Sequence, residues 1–291
     1  MKISVSILCY NYGRFLAQAI GSVLAQDLPP AERPDILVVD DGSTDDTPEV
    51  CASFAGKIRV LRTANEGFAA SLTRAIEHAN GDYVCLLDAD DYFAPGKVAR
   101  IRREIDRKTL FVDHGQRFVD EAGNVTPGVH HGGNTSTLCV HRAAALALLP
   151  VENEVALHVL LKAGAGVRLN EPLSYYRLHG ASMTNRTVPG RQNDYLAGVH
   201  HRLANRIRQL NPVPSWLGSA RMADAIARDF GAVAHYNELE AALERGQRAE
   251  ALHACLGMLR AAFGSASGYT SLHVRMLVKT LLMRPSFPKH G

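Results

Sequence analysis

Three carboxylates close the stretch VCLLDADDYFAPGKV, residues 84–98: Asp88, Asp90 and Asp91. They follow an apolar run that reads as a buried strand. Side chains alternate along a strand, so Asp88 and Asp90 share one side if the extended geometry persists, with Asp91 on the other. Two like charges that close repel unless something positive joins them, and a hard divalent cation with oxygen ligands answers that need. The plainer reading is a solvated acidic loop in which Asp91 caps the next helix, since isolated D-x-D matches are common. A second acidic stretch, VVDDGSTDDT at residues 38–47, delivers Asp40 and Asp41 at a strand end, where Gly42 and Ser43 turn the chain. A carboxylate fixed there can accept hydrogen bonds from a base N–H or from ribose hydroxyls. Asp45, Asp46 and Thr47 read as helix caps.

The elements that must hold these residues alternate. KISVSILCY is a buried strand ending at Tyr10 and Asn11. RFLAQAIGSVLAQ places Phe15, Leu16, Ala19, Ile20, Val23 and Leu24 at helical spacing. DILVVDD and IRVLR are strands. TPEVCASFAG is a helix with Thr47 as N-cap and Pro48 at its first position. GFAASLTRAIEHANG is a helix with Phe68, Leu72 and Ile76 on one face, DYVCLLD a fourth strand and PGKVARIRREID a fourth helix. Such alternation predicts an α/β fold with a mostly parallel sheet flanked by helices. In open parallel sheets ligands bind beyond the carboxyl ends of the strands, where the aspartates fall. From about residue 109 the pattern becomes strands around a DEAGN turn, a short strand and helix, helical VENEVALHVLLKAG and extended AGVRLNEPLSYYRLHG. The expected domains are residues 1–186 and a helical C-terminal region, 187–291. The latter contains an αα-hairpin broken at Gly246.

Composition narrows the function. The 291 residues are 46% hydrophobic and 21% charged, with a formal net charge of +3. These are ordinary globular values. No block of Lys and Arg interleaves with aromatics, so nucleic acid is not an expected partner. The five cysteines, Cys9, Cys51, Cys85, Cys139 and Cys255, form no CxxC and read as small hydrophobes in a reducing compartment. The reading expects no signal peptide and finds no run of roughly 20 apolar residues to span a bilayer. It places the protein in the cytoplasm and leaves a peripheral contact at the inner face of the membrane open. LHVRMLVKTLLMR, residues 272–284, fits a helix packed on the domain or on a second subunit, or a basic amphipathic helix on an anionic membrane. The absence of G-x-G-x-x-G after the first strand, and of G-x-x-x-x-G-K-[ST] and H-E-x-x-H, argues against a nicotinamide dehydrogenase, a P-loop NTPase and a zinc protease.

SVSILCYNYGRFLAQAIGSVLAQ, ILVVDDGSTDDT, NEGFAASLTRAIEHANGDYVCLLDADDYFAPGKV and NEPLSYYRLHG together resemble family-2 glycosyltransferases of the GT-A fold, over roughly residues 2–185. The resemblance implies transfer of a sugar from a nucleotide-diphosphate donor, usually with inversion and usually with Mn2+ or Mg2+. It implies that Asp41 contacts the nucleotide base, often uracil, and that Tyr10, beside Asn11, lines the nucleotide pocket. Asp88 would lie nearer the ribose and Asp90 would ligate the metal. His179 would approach the metal or diphosphate.

One departure bears on catalysis. Where the family usually has an aspartate acting as general base, the gapless match is Asn153, whose amide is not basic. Glu154, one residue on, is the favoured substitute and Glu152 the second. The rival readings are a nucleotide-sugar-binding protein that has lost catalysis and a nucleotidyltransferase. The acceptor is left open: a glycan, a lipid-linked molecule or a protein.

Overall fold

A computed structural model of the chain describes residues 1–106, 108–180 and 188–262. The chain divides into two compact units after Gly180. The expected boundary after residue 186 and the basic stretch at 272–284 lie outside the described residues.

The first unit is built on a nine-stranded sheet. Strand β1 (Ile3–Cys9) is buried at all seven positions. A strand covered on both faces reads as a near-continuous apolar run, as here. Its two polar side chains are bonded: Ser4 Oγ accepts from the Gly81 amide at 2.7 Å, and Ser6 Oγ donates to the Ala75 carbonyl at 2.9 Å. β2 (Asp35–Asp40) and β4 (Tyr83–Asp88) flank β1 in parallel, and β3 (Arg59–Arg62) pairs with β2. The order 3-2-1-4 puts a topological switch point at β1, where open α/β sheets form their ligand crevices. In register, Cys9 stands opposite Asp40 on one side of β1, and Leu8 opposite Asp88 on the other.

The helices follow from apolar spacing. Helix α1 (Gly13–Leu24) buries Phe15, Leu16, Ala19, Ile20 and Val23. Full burial of one Leu or Ile contributes roughly 1.5–3 kcal/mol, and Leu16→Ala would cost about 2–5 kcal/mol. Leu24, expected on this face, is exposed, because it closes the last turn. In α2 (Thr47–Ser53) the N-cap is Asp46, not Thr47, and Pro48 is the second helical residue. Asp45 does the bonding there. Its Oδ1 accepts from the Thr47 amide at 3.0 Å and from Thr47 Oγ1 at 2.6 Å. α3 (Phe68–Glu77) buries Leu72 and Ile76, while α4 (Lys97–Glu104) buries Val98 and Ile101.

Beyond β4 the sheet is mixed rather than parallel. After the two-residue β5 (Tyr92–Phe93) come β6 (Phe111–Val119), β7 (Val125–His130), β8 (Cys139–His141) and β9 (Gly166–Arg177). β8 runs antiparallel to β4 and β6, and β6 runs parallel to β9. α5 (Arg142–Leu146) and α6 (His158–Lys162) are short, and a one-turn 3-10 helix spans Glu154–Leu157.

The second unit is helical in its described part: α7 (Arg191–Arg208), α8 (Ala220–Glu244) and α9 (Arg248–Ala262). α8 and α9 form the expected hairpin, turning at Gly246 with φ +72°. No helix among the described residues is long and apolar enough to cross a membrane.

Candidate active site

The two aspartate stretches sit at strand ends on either side of β1 but in different electrostatic surroundings. At the end of β2, Asp41 is buried and bonded to its own loop. Its Oδ2 accepts from the Gly67 amide at 2.8 Å, and its Oδ1 from the Glu66 amide at 3.0 Å and Thr63 Oγ1 at 3.3 Å. A carboxylate offers about four acceptor sites, so capacity for one more donor remains. Gly42 makes the turn possible, since at φ +77° a Cβ there would stand 2.8 Å from the Asn65 nitrogen. Asp40 accepts from the Ser43 amide at 2.9 Å and lies 3.5 Å from Arg62 Nε. Asn11, at φ +57°, accepts from the Thr44 amide at 2.8 Å, and its own amide donates to Ser43 Oγ. Asn11 thus ties the β1 end to the β2 loop. Tyr10 beside it is 44% exposed and open to a ligand.

At the end of β4 the carboxylates crowd. The extended geometry expected through Asp90 stops at Asp88. The chain turns there, and the Asp91 amide donates to the Asp88 carbonyl at 3.0 Å. Burial pushes the Asp88 carboxyl well above the ordinary range, and the charges of Asp90, Asp91 and Glu154 push it further. Asp90 Oδ2 lies 2.9 Å from His179 Nε2. The His179 side chain is fully buried, and its Nδ1 has no hydrogen-bond partner among the described residues. Its ring packs against Tyr12 (centroids 5.4 Å apart, edge-on) and Phe15 (5.1 Å). Asp91 does not cap α4, whose N-cap is Gly96. It is buried, accepting from the Arg177 amide at 3.0 Å and Gln116 Nε2 at 3.2 Å. Burial, then Asp90, push it up to about 7.

Asn153 and Glu154 lie at a helix start. Asn153 is the N-cap of the one-turn helix, its Oδ1 accepting from the Val155 amide at 2.9 Å. Glu154 is the next residue, near enough to Asp88 to disfavour its charge. Burial raises the Glu154 carboxyl to about 7. Glu152 is exposed.

Several supporting residues escaped the sequence reading. Arg177 is buried and holds the acidic turn. Its Nε donates to the Asp90 carbonyl at 2.9 Å, one terminal nitrogen to the Glu121 carbonyl at 2.7 Å and the other to Gln18 Oε1 at 2.6 Å. Ser136 Oγ accepts from the Asp88 amide at 3.0 Å. Lys97 is fully buried, its Nζ donating to the Ser136 carbonyl at 2.9 Å, and burial lowers its ammonium to about 7. Tyr12 is pushed up to about 12 by burial and then by Asp90 and Asp88. The second tyrosine of YNY was the one available signal for Tyr12. The others act across long sequence separations.

The mixed α/β sheet with its flanking helices is similar to the fold of GT-A glycosyltransferases. Residues 4–144 match the model of glycosyl transferase family 2 and belong to that family. An uncharacterised glycosyltransferase of Nostoc sp. is 31% identical over 216 residues, which span 62% of this chain and 66% of that one. The glycosyltransferase GlyG of Streptococcus pneumoniae is 33% identical over 120 residues, 40% of this chain and 39% of that one. The chain thus matches less than two thirds of these relatives' own length. Among solved structures, residues 1–349 of S. aureus TarS superpose with a TM-score of 0.62 at 17% identity, covering 97% of this chain and 88% of that one. The same protein in complex with UDP-GlcNAc gives 0.58 at 16% identity, covering 87% and 89%. The mannosyltransferase PcManGT of Pyrobaculum calidifontis, in complex with GDP-Man and Mn2+, gives 0.51 at 16% identity, covering 97% and 87%. At these identities the superpositions show the shared fold.

Proposed function

We propose that this chain transfers a sugar from a UDP-sugar to an acceptor hydroxyl with inversion at the anomeric carbon, assisted by Mn2+ or Mg2+. One observation carries the reading: the β4 end holds carboxylates that burial and mutual repulsion leave short of positive charge, beside the raised Glu154. The donor set fits a hard divalent cation. Asp88 and Asp90 offer carboxylate oxygens, and the 2.9 Å between Asp90 Oδ2 and His179 Nε2 suits two ligands of one ion. When bound there, such a cation supplies Lewis-acid neutralisation of charge growing on the leaving diphosphate.

The chain's own groups do the rest. Asp41 uses its remaining acceptor capacity on a base N–H, with Tyr10 and Asn11 alongside. Arg177 keeps the Asp90 turn in place. Glu154 takes the proton of the acceptor hydroxyl as the hydroxyl oxygen bonds to the anomeric carbon. The bond from that carbon to the diphosphate oxygen breaks on the opposite face, and UDP leaves with the electron pair. A base with a pKa near 7 suits this task at neutral pH, and its contribution is typically 10²–10⁴-fold. The substitution at Asn153 does not by itself favour lost catalysis, because the cap position frees the adjacent Glu154 to act. A cytoplasmic location, with a second subunit or a membrane surface as partner of the C-terminal region, belongs to the proposal. Co-sedimentation with anionic liposomes tests the membrane contact.

The test of the reaction is product analysis with a panel of UDP-sugars and Mn2+. Free UDP formed with acceptor supports the reading. Pyrophosphate would mark a nucleotidyltransferase, and ligand binding with neither product would mark a binding protein.

A further inference from the structure

The second unit contains a cluster that sugar transfer does not use. His201 lies on α7, and His235 and Glu238 lie three residues apart on one face of α8. One potential ligand atom from each falls within 4.8 Å of the other two. His201 Nε2 is 2.7 Å from Glu238 Oε1, and His235 Nδ1 is 2.7 Å from Glu238 Oε2. The imidazoles meet edge to face with centroids 4.9 Å apart. A third helix makes room for them. A Cβ on Gly257 of α9 would stand 2.7 Å from both Cε1 and Nδ1 of His235. Glycine is a poor residue inside a helix, so its place there fits a close approach that any larger residue would obstruct.

A carboxylate accepting from two imidazoles is a reasonable helix staple by itself. Its donor set is also that of a borderline-soft metal. Two histidine nitrogens and one glutamate oxygen, with a fourth position open, form a known zinc ligand set. Zn–N and Zn–O distances of about 2.0–2.2 Å separate tetrahedral donors by roughly 3.4 Å. The two 2.7 Å contacts would therefore open by less than an ångström, within reach of side-chain rotation. The side chains are 38% (His201), 25% (His235) and 37% (Glu238) exposed, so an ion can enter from solvent.

We propose that His201, His235 and Glu238 form a transition-metal site, with Zn2+ the fitting ion, that ties α7 to α8. Nitrogen-rich ligands favour Zn2+ over Mn2+ and Mg2+, whereas the oxygen-rich donors at the end of β4 suit the harder ions. The site would be structural: an ion bound only by the folded state stabilises it by an amount that grows with the logarithm of its affinity.

The test uses the full chain carrying Asp88→Asn and Asp90→Asn, so that the first unit's carboxylates do not compete. Co2+ is titrated and followed by its visible ligand-field bands, then displaced by Zn2+. The expected result is one tightly bound equivalent and a Zn2+-induced rise in Tm. His201→Ala and His235→Ala should each weaken binding by about tenfold or more, at least the loss typical of an outer-shell partner. Gly257→Ala should weaken it too, by displacing the His235 ring. Unchanged affinity in folded His201→Ala and His235→Ala proteins overturns the proposal, as does an absence of binding in the parent. If the histidine variants fail to fold, Glu238→Gln decides, because it keeps the side chain's shape: retained affinity overturns the site and lost affinity supports it.

Discussion

The ends of β2 and β4 carry the same residue type at equivalent places on either side of β1, yet they differ in what surrounds them. Asp41 is met by two backbone amides and a hydroxyl, and Asp40 by an amide and the Arg62 guanidinium. Asp88 is met mainly by burial and by other acids. Carboxylates met by amides and a guanidinium organise a loop; carboxylates crowded by other acids leave an electrostatic demand that a ligand can satisfy. Strand-end position alone did not separate the two roles. The hydrogen-bond partners do.

The largest effect should come from the crowded end. Asp90→Asn removes the proposed metal ligand and should cut transfer by about 10³-fold, in keeping with the several kcal/mol that Lewis-acid stabilisation supplies. Tm should hold or rise, because a repelling charge is removed. Next, Glu154→Gln should lower kcat by roughly 10²–10⁴-fold with donor affinity unchanged. In the wild type, kcat should fall as pH drops below about 7, where Glu154 gains a proton, and the variant's profile should lose that limb. At the paired end the damage should appear in stability. Asp41→Asn replaces one acceptor oxygen with a donor that faces a backbone N–H. Leaving one buried donor unmet costs about 1–3 kcal/mol. A matching fall in Tm with Asp90→Asn unaffected sharpens the contrast; equal falls break it. The smallest effect belongs to Glu152→Gln, which should leave kcat within about twofold, because this carboxylate is exposed to solvent. A loss there comparable to that of Glu154→Gln would reassign the base.

The sequence was most readable where structure is local. The strands β1 to β4, the helices between them and the hairpin at Gly246 follow from periodicity and turn residues, and those signals lie within each segment. Thr47 and Asp91 were misread because capping by sequence neighbours looked sufficient. Asp91 instead bonds the Arg177 amide, 86 residues away. The Arg177 guanidinium reaches the Asp90 carbonyl across 87 residues, and Lys97 reaches Ser136 across 39. No local pattern announces such contacts. Lys97 stands in the first turn of a helix, where no local pattern marks it for burial, and only the fold buries it. The start of the one-turn helix is a local feature too: Asn153 caps it and Glu154 is its first residue.

The central claim is that the β4 carboxylates, and not the β2 pair, are held open for the cation and diphosphate. Calorimetric titration of UDP and of uridine, each with and without Mn2+, into wild type, Asp90→Asn and Asp41→Asn tests it most directly. The account predicts that Mn2+ strengthens UDP binding in wild type and Asp41→Asn but not in Asp90→Asn. Uridine should weaken only with Asp41→Asn. An Mn2+-dependent gain in UDP affinity that survives Asp90→Asn undiminished would contradict it.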